Sequence, residues 1–109
     1  MRTRTKPRAI AALLALAAAG AGGAAEVREQ AKAVLQSARC DKCHDSTVSL
    51  ENQKALSVYD LARADWPARM SDAQLPRLLN RLRSAPAADQ AVVRKLIAQE
   101  LKGRAATAR

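Results

Sequence analysis

The sequence predicts an all-α fold. Apolar residues recur every three or four positions in segments 26–38 and 92–101, which is the spacing of one helix face. No stretch alternates apolar and polar residues as a half-buried strand would, and no internal repeat is visible. We therefore expect one small helical domain.

A first helix is predicted over residues 26–38. Glu26 and Glu29 lie in its first turn, where negative charge complements the helix dipole. Its apolar face consists of Val27, Ala31, Val34 and Leu35. The next segment, 45–66, has weaker periodicity and several Ser, Thr and Asn residues, so we expect a loop with a helical turn near 54–61.

Two more helices are predicted in the second half of the chain. Ser71 and Gln74 have the spacing of a capping box, and Pro76 then predicts an irregular first turn. One face of this helix is apolar and the opposite face is basic. The apolar face comprises Leu75, Leu78, Leu79 and Leu82, and the basic face comprises Arg77, Arg81 and Arg83. The last helix is expected to have Pro86 at its first position and to stop at Gly103. Its apolar face is Val92, Val93, Leu96, Ile97 and Leu101.

Residues 1–25 have the pattern of a secretory signal. Four basic residues precede an Ala/Leu run at 10–19, and Gly23 and Ala25 suit cleavage after Ala25 or one residue earlier. The run is short for a membrane span, and an uncleaved anchor is the alternative. No adjacent arginine pair is present, which favours the general secretion route. We expect a periplasmic or otherwise exported domain at 26–103, without membrane contact after cleavage, and a flexible basic tail at 104–109.

Composition limits both the partners and the core. The chain has 19 Lys and Arg against 10 Asp and Glu, and removal of the signal leaves 15 against 10. A mildly basic exported domain is no evidence for nucleic-acid binding, and we expect none. With no Phe, one Tyr and one Trp, so short a chain fills only a marginal core. A bound apolar cofactor would supply the missing stabilisation.

The segment Cys40-Asp41-Lys42-Cys43-His44 has the C-x-x-C-H spacing typical of covalent attachment of c-type haem. Two thiols three residues apart share one side of a helical turn, so each can add to one vinyl group of a porphyrin. The adjacent imidazole then becomes the proximal iron ligand.

Three other interpretations of the motif fit less well. A thioredoxin-like redox pair belongs beside a βαβ pattern, which is absent from the sequence. A zinc site needs four ligands, whereas the chain has two cysteines and one histidine. A disulfide would strain so short a loop and would leave His44 unexplained.

With an N-terminal helix entering this motif and an amphipathic helix closing the chain, the protein resembles small monohaem c-type cytochromes. The resemblance is specific over residues 40–44 and looser elsewhere. It implies a cytochrome c-like helical domain around one haem c, bound through Cys40 and Cys43, with His44 as the proximal ligand. It also implies a distal methionine in a later loop.

Met70 is the only methionine besides Met1, and the sole histidine excludes a bis-histidine iron within one chain. Met70 is therefore the candidate sixth ligand. It also fits a hydrophobic staple, at N′ before Ser71 with Leu75 at N4. Lys54 as ligand, or an open site, are further alternatives.

Three other side chains have two interpretations each. Tyr59 and Trp66 either lie at the porphyrin edge, with their polar tips on a propionate, or fill the core. Arg69 either pairs with a propionate or lies exposed.

The resemblance implies an electron carrier, not an enzyme, that exchanges single electrons with exported redox proteins. Lys42, Lys54 and the Arg77/Arg81 face would steer acidic partners. One alternative is a gas-binding or sensing haem domain, and another is a haem subunit docked on a larger oxidoreductase. Weak peroxidase activity is disfavoured because no second histidine can act as a distal base.

Overall fold

In the computed structural model, which describes residues 23–108, the regular structure is entirely helical. Helix α1 covers residues 23–37 of the described chain, and five elements come after it. They are α2 (Asp41–His44), α3 (Gln53–Val58), a first 3₁₀ helix (Trp66–Arg69), a second 3₁₀ helix (Leu75–Leu82) and α4 (Ala87–Thr107). No strand occurs within 23–108, so the all-α prediction is confirmed.

The predicted signal falls almost wholly on residues 1–22, which lie outside the described residues. Within 23–108, no helix combines the length and the apolar character needed to cross a membrane.

One apolar core joins the elements. It takes one face from α1, another from α4 and a third from the second 3₁₀ helix, together with side chains of the connecting segments. Its fully buried large side chains are Leu35, Leu61, Trp66, Leu75, Leu82, Val93 and Leu96. The apolar faces predicted from the periodicity are thus the buried ones, because burial of apolar area drives the packing.

The capping box at Ser71 is confirmed in both directions. The Ser71 backbone N–H donates to Oε1 of Gln74 at 2.9 Å, and the Gln74 N–H donates to Oγ of Ser71 at 3.1 Å. The segment after this box is a 3₁₀ helix, not the expected α-helix. Its tighter winding brings Leu75 and Leu78, three residues apart, onto one side, and both are buried against the core.

Both ends of the last helix differ from the predicted ones. Pro86 is the N-cap and Ala87 the first helical residue, one position later than predicted. The predicted stop at Gly103 is wrong, because α4 continues to Thr107. The reason is tertiary: Arg104 donates from Nη1 to Asp72 at 2.7 Å and from Nη2 to the Pro67 carbonyl at 3.0 Å. The predicted tail is therefore helical through Thr107.

A bidentate ion pair joins α1, at the start of the described chain, to α4, at its end. Arg28 donates from Nε and Nη2 to the two carboxylate oxygens of Glu100, each at 2.9 Å. The Glu100 side chain is 7% exposed, and the hydrogen bond to it raises the pKa of Arg28. This pair links the first and last helices through two charge-assisted hydrogen bonds.

Replacing Glu100 by glutamine should lower the free energy of unfolding. Breaking a buried pair costs about 3–5 kcal/mol, but Arg28 keeps a 28% exposed side chain that water can solvate. We expect a loss of about 1–2 kcal/mol, measured by denaturant unfolding. The control is Asp72→Asn, which breaks the pair of Arg104 with a carboxylate that is 73% exposed. Equal losses in both variants would contradict the role given to Glu100.

Candidate functional site

The turn that leads into the cysteine motif is a helix C-cap made without glycine. Arg39 comes after α1 with φ of 67°, in the left-handed region. The Cys40 N–H donates to the Leu35 carbonyl and the Arg39 N–H donates to the Gln36 carbonyl, both at 2.9 Å. These two bonds form a Schellman motif, which usually has glycine at the position of Arg39. The turn directs Cys40 back against the core.

Arg39→Gly should therefore stabilise the protein. Left-handed backbone costs an L-residue about 1–2 kcal/mol, and the greater freedom of an unfolded glycine offsets about 0.4–1 kcal/mol of the relief. A net gain of about 0.5–1 kcal/mol is expected in denaturant unfolding. Arg39→Ala removes the same charge but keeps a Cβ, so it should give no gain. A gain of the same size in the alanine variant would refute backbone strain as the cause.

Helix α2 carries the motif in one turn. The backbone N–H groups of Cys43 and His44 donate to the Cys40 carbonyl, at 3.3 and 3.0 Å. Both cysteines are free thiols; Cys40 is half-buried and Cys43 is exposed. Burial raises the pKa of the Cys40 thiol, and its polar contact with Tyr59 opposes the rise. The two thiols thus differ in surroundings although they share one turn.

His44 is held by backbone carbonyl oxygens. Its Nδ1 lies 2.9 Å from the Ala55 carbonyl oxygen and 3.3 Å from that of Tyr59. A carbonyl oxygen only accepts, so Nδ1 carries the proton and Nε2 of the neutral ring keeps its lone pair. The His44 carbonyl in turn accepts from the Leu61 N–H at 2.6 Å. This is the arrangement of a metal-binding imidazole, with one nitrogen fixed by the protein and the other free to bind.

Short helix α3 presents the carbonyl that orients His44. Asn52, which the sequence placed in a loop, is its N-cap and accepts from the Ala55 N–H at 2.9 Å. After α3, the Asp60 carboxylate accepts from the N–H groups of Ser46 and Ala62 at 2.9 and 3.0 Å. Burial alone would raise the pKa of Asp60, but these hydrogen bonds outweigh it and lower that pKa. The loop after His44 is therefore tied back beside the motif.

Tyr59 lies flat against the His44 ring. The ring centroids are 3.8 Å apart and the planes differ by 6°. Tyr59 is 4% exposed, and burial together with the neighbouring Cys40 thiol raises the pKa of its phenol far above the usual value. On its far side, the Tyr59 ring meets Trp66 at 5.6 Å between centroids with a tilt of 50°. This stack was not predictable from the sequence, because the two stacked rings are fifteen positions apart and no periodic pattern joins them.

A cavity of about 600 Å³ opens beside the motif. Cys40, Cys43 and His44 all line it, and so do three basic residues, Arg39, Lys54 and Arg81, of which only Lys54 and Arg81 were noted from the sequence. Its volume is within the roughly 300–1,000 Å³ typical of small-molecule and cofactor sites. The basic side chains make its rim suited to an anionic group.

Met70 lines a second cavity of about 210 Å³ together with His44. The two cavities share the residues His44, Val58, Tyr59 and Arg81. Met70 itself comes directly after the first 3₁₀ helix, is 3% exposed and belongs to the same core as Leu75. The structure thus brings Met70 and His44 to one place, and it is also compatible with the staple between Met70 and Leu75.

Trp66 and Arg69 have different surroundings. Trp66 is fully buried in the core, and its indole Nε1 has no hydrogen-bond partner among the described residues. A buried donor without a partner costs free energy, and Trp66 lines neither cavity around His44, which favours its interpretation as a core residue. Arg69 is exposed and lines neither cavity around His44, which favours its interpretation as a surface residue.

Another depression lies away from the cysteine motif. It measures about 690 Å³ and is lined by residues of α1 and α4, including Arg28, Glu100 and Arg104. These side chains are already engaged in the ion pairs described above, and no cysteine, histidine or methionine lines it. The cysteines, His44 and Met70 instead line the two smaller cavities around His44.

Comparison with protein-family models, curated proteins and solved structures gives no match. The assignment of the site consequently depends on its own residues. Within 23–108, no three His, Cys, Asp or Glu side chains come together in a way that could hold a metal ion. The arrangement offers one free imidazole nitrogen, two thiols and one thioether.

These groups fit a covalently bound haem. A porphyrin supplies the equatorial ligands of its iron, so the protein needs to add only axial ones, and His44 and Met70 are a nitrogen and a sulfur donor of the right kind. Cys40 and Cys43 border the same cavity as His44, where thioether bonds would be needed. The basic residues that line this cavity suit carboxylates.

Proposed function

We propose that the protein is an exported monohaem cytochrome c that transfers single electrons between redox partners. The observation that carries the proposal is the state of His44: Nδ1 donates to the Ala55 carbonyl, Nε2 has no hydrogen bond to the described residues, and His44 lines one cavity with Cys40 and Cys43. A histidine that only filled the core would not need cysteines one and four positions before it, nor a cavity of cofactor size.

Each residue of the site has a role in this function. The Cys40 and Cys43 thiols would hold a haem, each by adding S–H across one vinyl double bond, with sulfur on one carbon and hydrogen on the other. His44 would supply a nitrogen ligand, and Met70 would supply a sulfur ligand and exclude water. When bound, haem would supply one-electron chemistry at its iron.

The basic residues near the cavities would guide partners. Arg77 and Arg81 are exposed on the second 3₁₀ helix, and Arg81 lines both cavities. Lys54 lies at the rim of the larger one. An acidic partner attracted to this side would arrive close to the cofactor, and the attraction should weaken as ionic strength rises.

Binding of a small gas molecule is the second candidate. The observation in its favour is the cavity of about 210 Å³ between His44 and Met70, whose lining also includes the polar side chains Gln74 and Arg77. In such a domain Met70 would only pack, and the distal position would be open. Tight carbon monoxide binding to the reduced protein, without displacement of a native ligand, would favour this candidate.

An optical spectrum of the full chain, produced in a host that attaches haem c, tests the proposal. We expect one haem per chain that resists denaturation, reversible one-electron reduction, and a low-spin six-coordinate iron at neutral pH. A protein without covalent haem would overturn the cytochrome assignment. A high-spin five-coordinate iron would overturn the electron-carrier function and leave the gas-binding one.

A further inference from the structure

We propose that Tyr59 is a positioning residue that sets the plane of the His44 imidazole. The inference deepens the proposed function and depends on it for the iron. Tyr59 acts through two parts of one residue: its ring covers the imidazole face, and its carbonyl oxygen lies 3.3 Å from Nδ1.

The hydrogen bond to Ala55 does not by itself define the ring plane. An N–H···O bond stays favourable over a range of angles. It therefore restrains rotation of the imidazole about the Cβ–Cγ bond only loosely. A flat contact at 3.8 Å with planes only 6° apart removes that rotation, because tilting the imidazole would drive its edge into the phenol ring.

Tyr59 can hold the imidazole in one orientation because Tyr59 is itself immobilised. It is 4% exposed, Trp66 packs against its ring, and it lines the same cavity as Cys40. Cys40 is one of the two attachment residues of the proposed haem. Tyr59 thus restrains the imidazole plane beside the point where the porphyrin would be anchored.

The test uses oxidised holoprotein and its paramagnetic proton NMR spectrum. The four haem methyl groups shift according to the orientation of the axial imidazole plane, and a structural role alone would not change their order. We expect Tyr59→Leu to change the order and spread of the four methyl resonances. Tyr59→Phe keeps the flat ring and should reproduce the wild-type pattern.

Leu82→Ala is the control for lost packing, since Leu82 is fully buried in the same core. It should lower stability and leave the methyl pattern unchanged. An unchanged pattern in Tyr59→Leu, or a changed one in Tyr59→Phe equal to that in Tyr59→Leu, would overturn the role of the ring.

A second measurement keeps the inference testable if Tyr59→Leu does not fold. In reduced, diamagnetic wild-type holoprotein, nuclear Overhauser contacts between the Tyr59 and His44 ring protons are expected, and His44 is easily assigned as the sole histidine. Their absence in a protein that binds haem would refute the inference alone. Absence of haem from the wild type would refute the proposed function instead.

Discussion

The Met70→Leu variant is expected to keep its haem but to lose the low-spin six-coordinate spectrum of the oxidised protein. Leucine has no lone pair to offer, so the distal position becomes vacant or takes up water. Loss of the thioether ligand should also lower the reduction potential by on the order of 0.1 V, part of the roughly 0.8 V range that axial ligands span. Optical spectra and a redox titration of wild type and variant measure both effects.

Leucine is chosen because Met70 also packs in the core. The side chain is 3% exposed, and an exchange of Met for Leu usually costs less than about 1.5 kcal/mol. Met70→Ala would create a cavity and lower the free energy of unfolding by about 2–5 kcal/mol. The effect of the lost ligand could then not be separated from the effect of the lost packing. An unchanged low-spin spectrum in the leucine variant would mean that Met70 is only the staple partner of Leu75.

The double variant Cys40→Ala/Cys43→Ala should lose all haem that resists denaturation. The two proposed thioether bonds would depend on these sulfur atoms, and the chain contains no other cysteine. Denaturing electrophoresis with haem staining is the measurement. Each single variant should keep one thioether bond, so its haem should stay on the chain with an altered spectrum.

The matched control replaces the two residues between the cysteines with alanine. Asp41→Ala/Lys42→Ala leaves the spacing of the thiols unchanged, and neither side chain is buried. Haem attachment should be retained in full. Stained haem in the double cysteine variant, or equal loss of staining in the control, would contradict attachment through the two thiols.

Residues close in sequence account for what could be predicted of the fold. The reciprocal bonds of Ser71 and Gln74 span three positions, and the buried faces of α1 and α4 result from helical spacing. The winding of the second 3₁₀ helix and the continuation of α4 through Gly103 were not predictable in this way. Both depend on packing or ion pairs with distant residues, such as that of Arg104 with Asp72.

The same distinction between local and distant contacts applies to the proposed site. The sequence by itself determined the all-helical class, the apolar faces and the C-x-x-C-H motif, because helical periodicity and motif spacing are local properties. Only the tertiary structure decided which nitrogen of His44 is free, that Tyr59 covers its ring, and that Met70 lines a cavity with it. These contacts join residues 11 or more positions apart, and chain folding, not local preference, determines which of them meet.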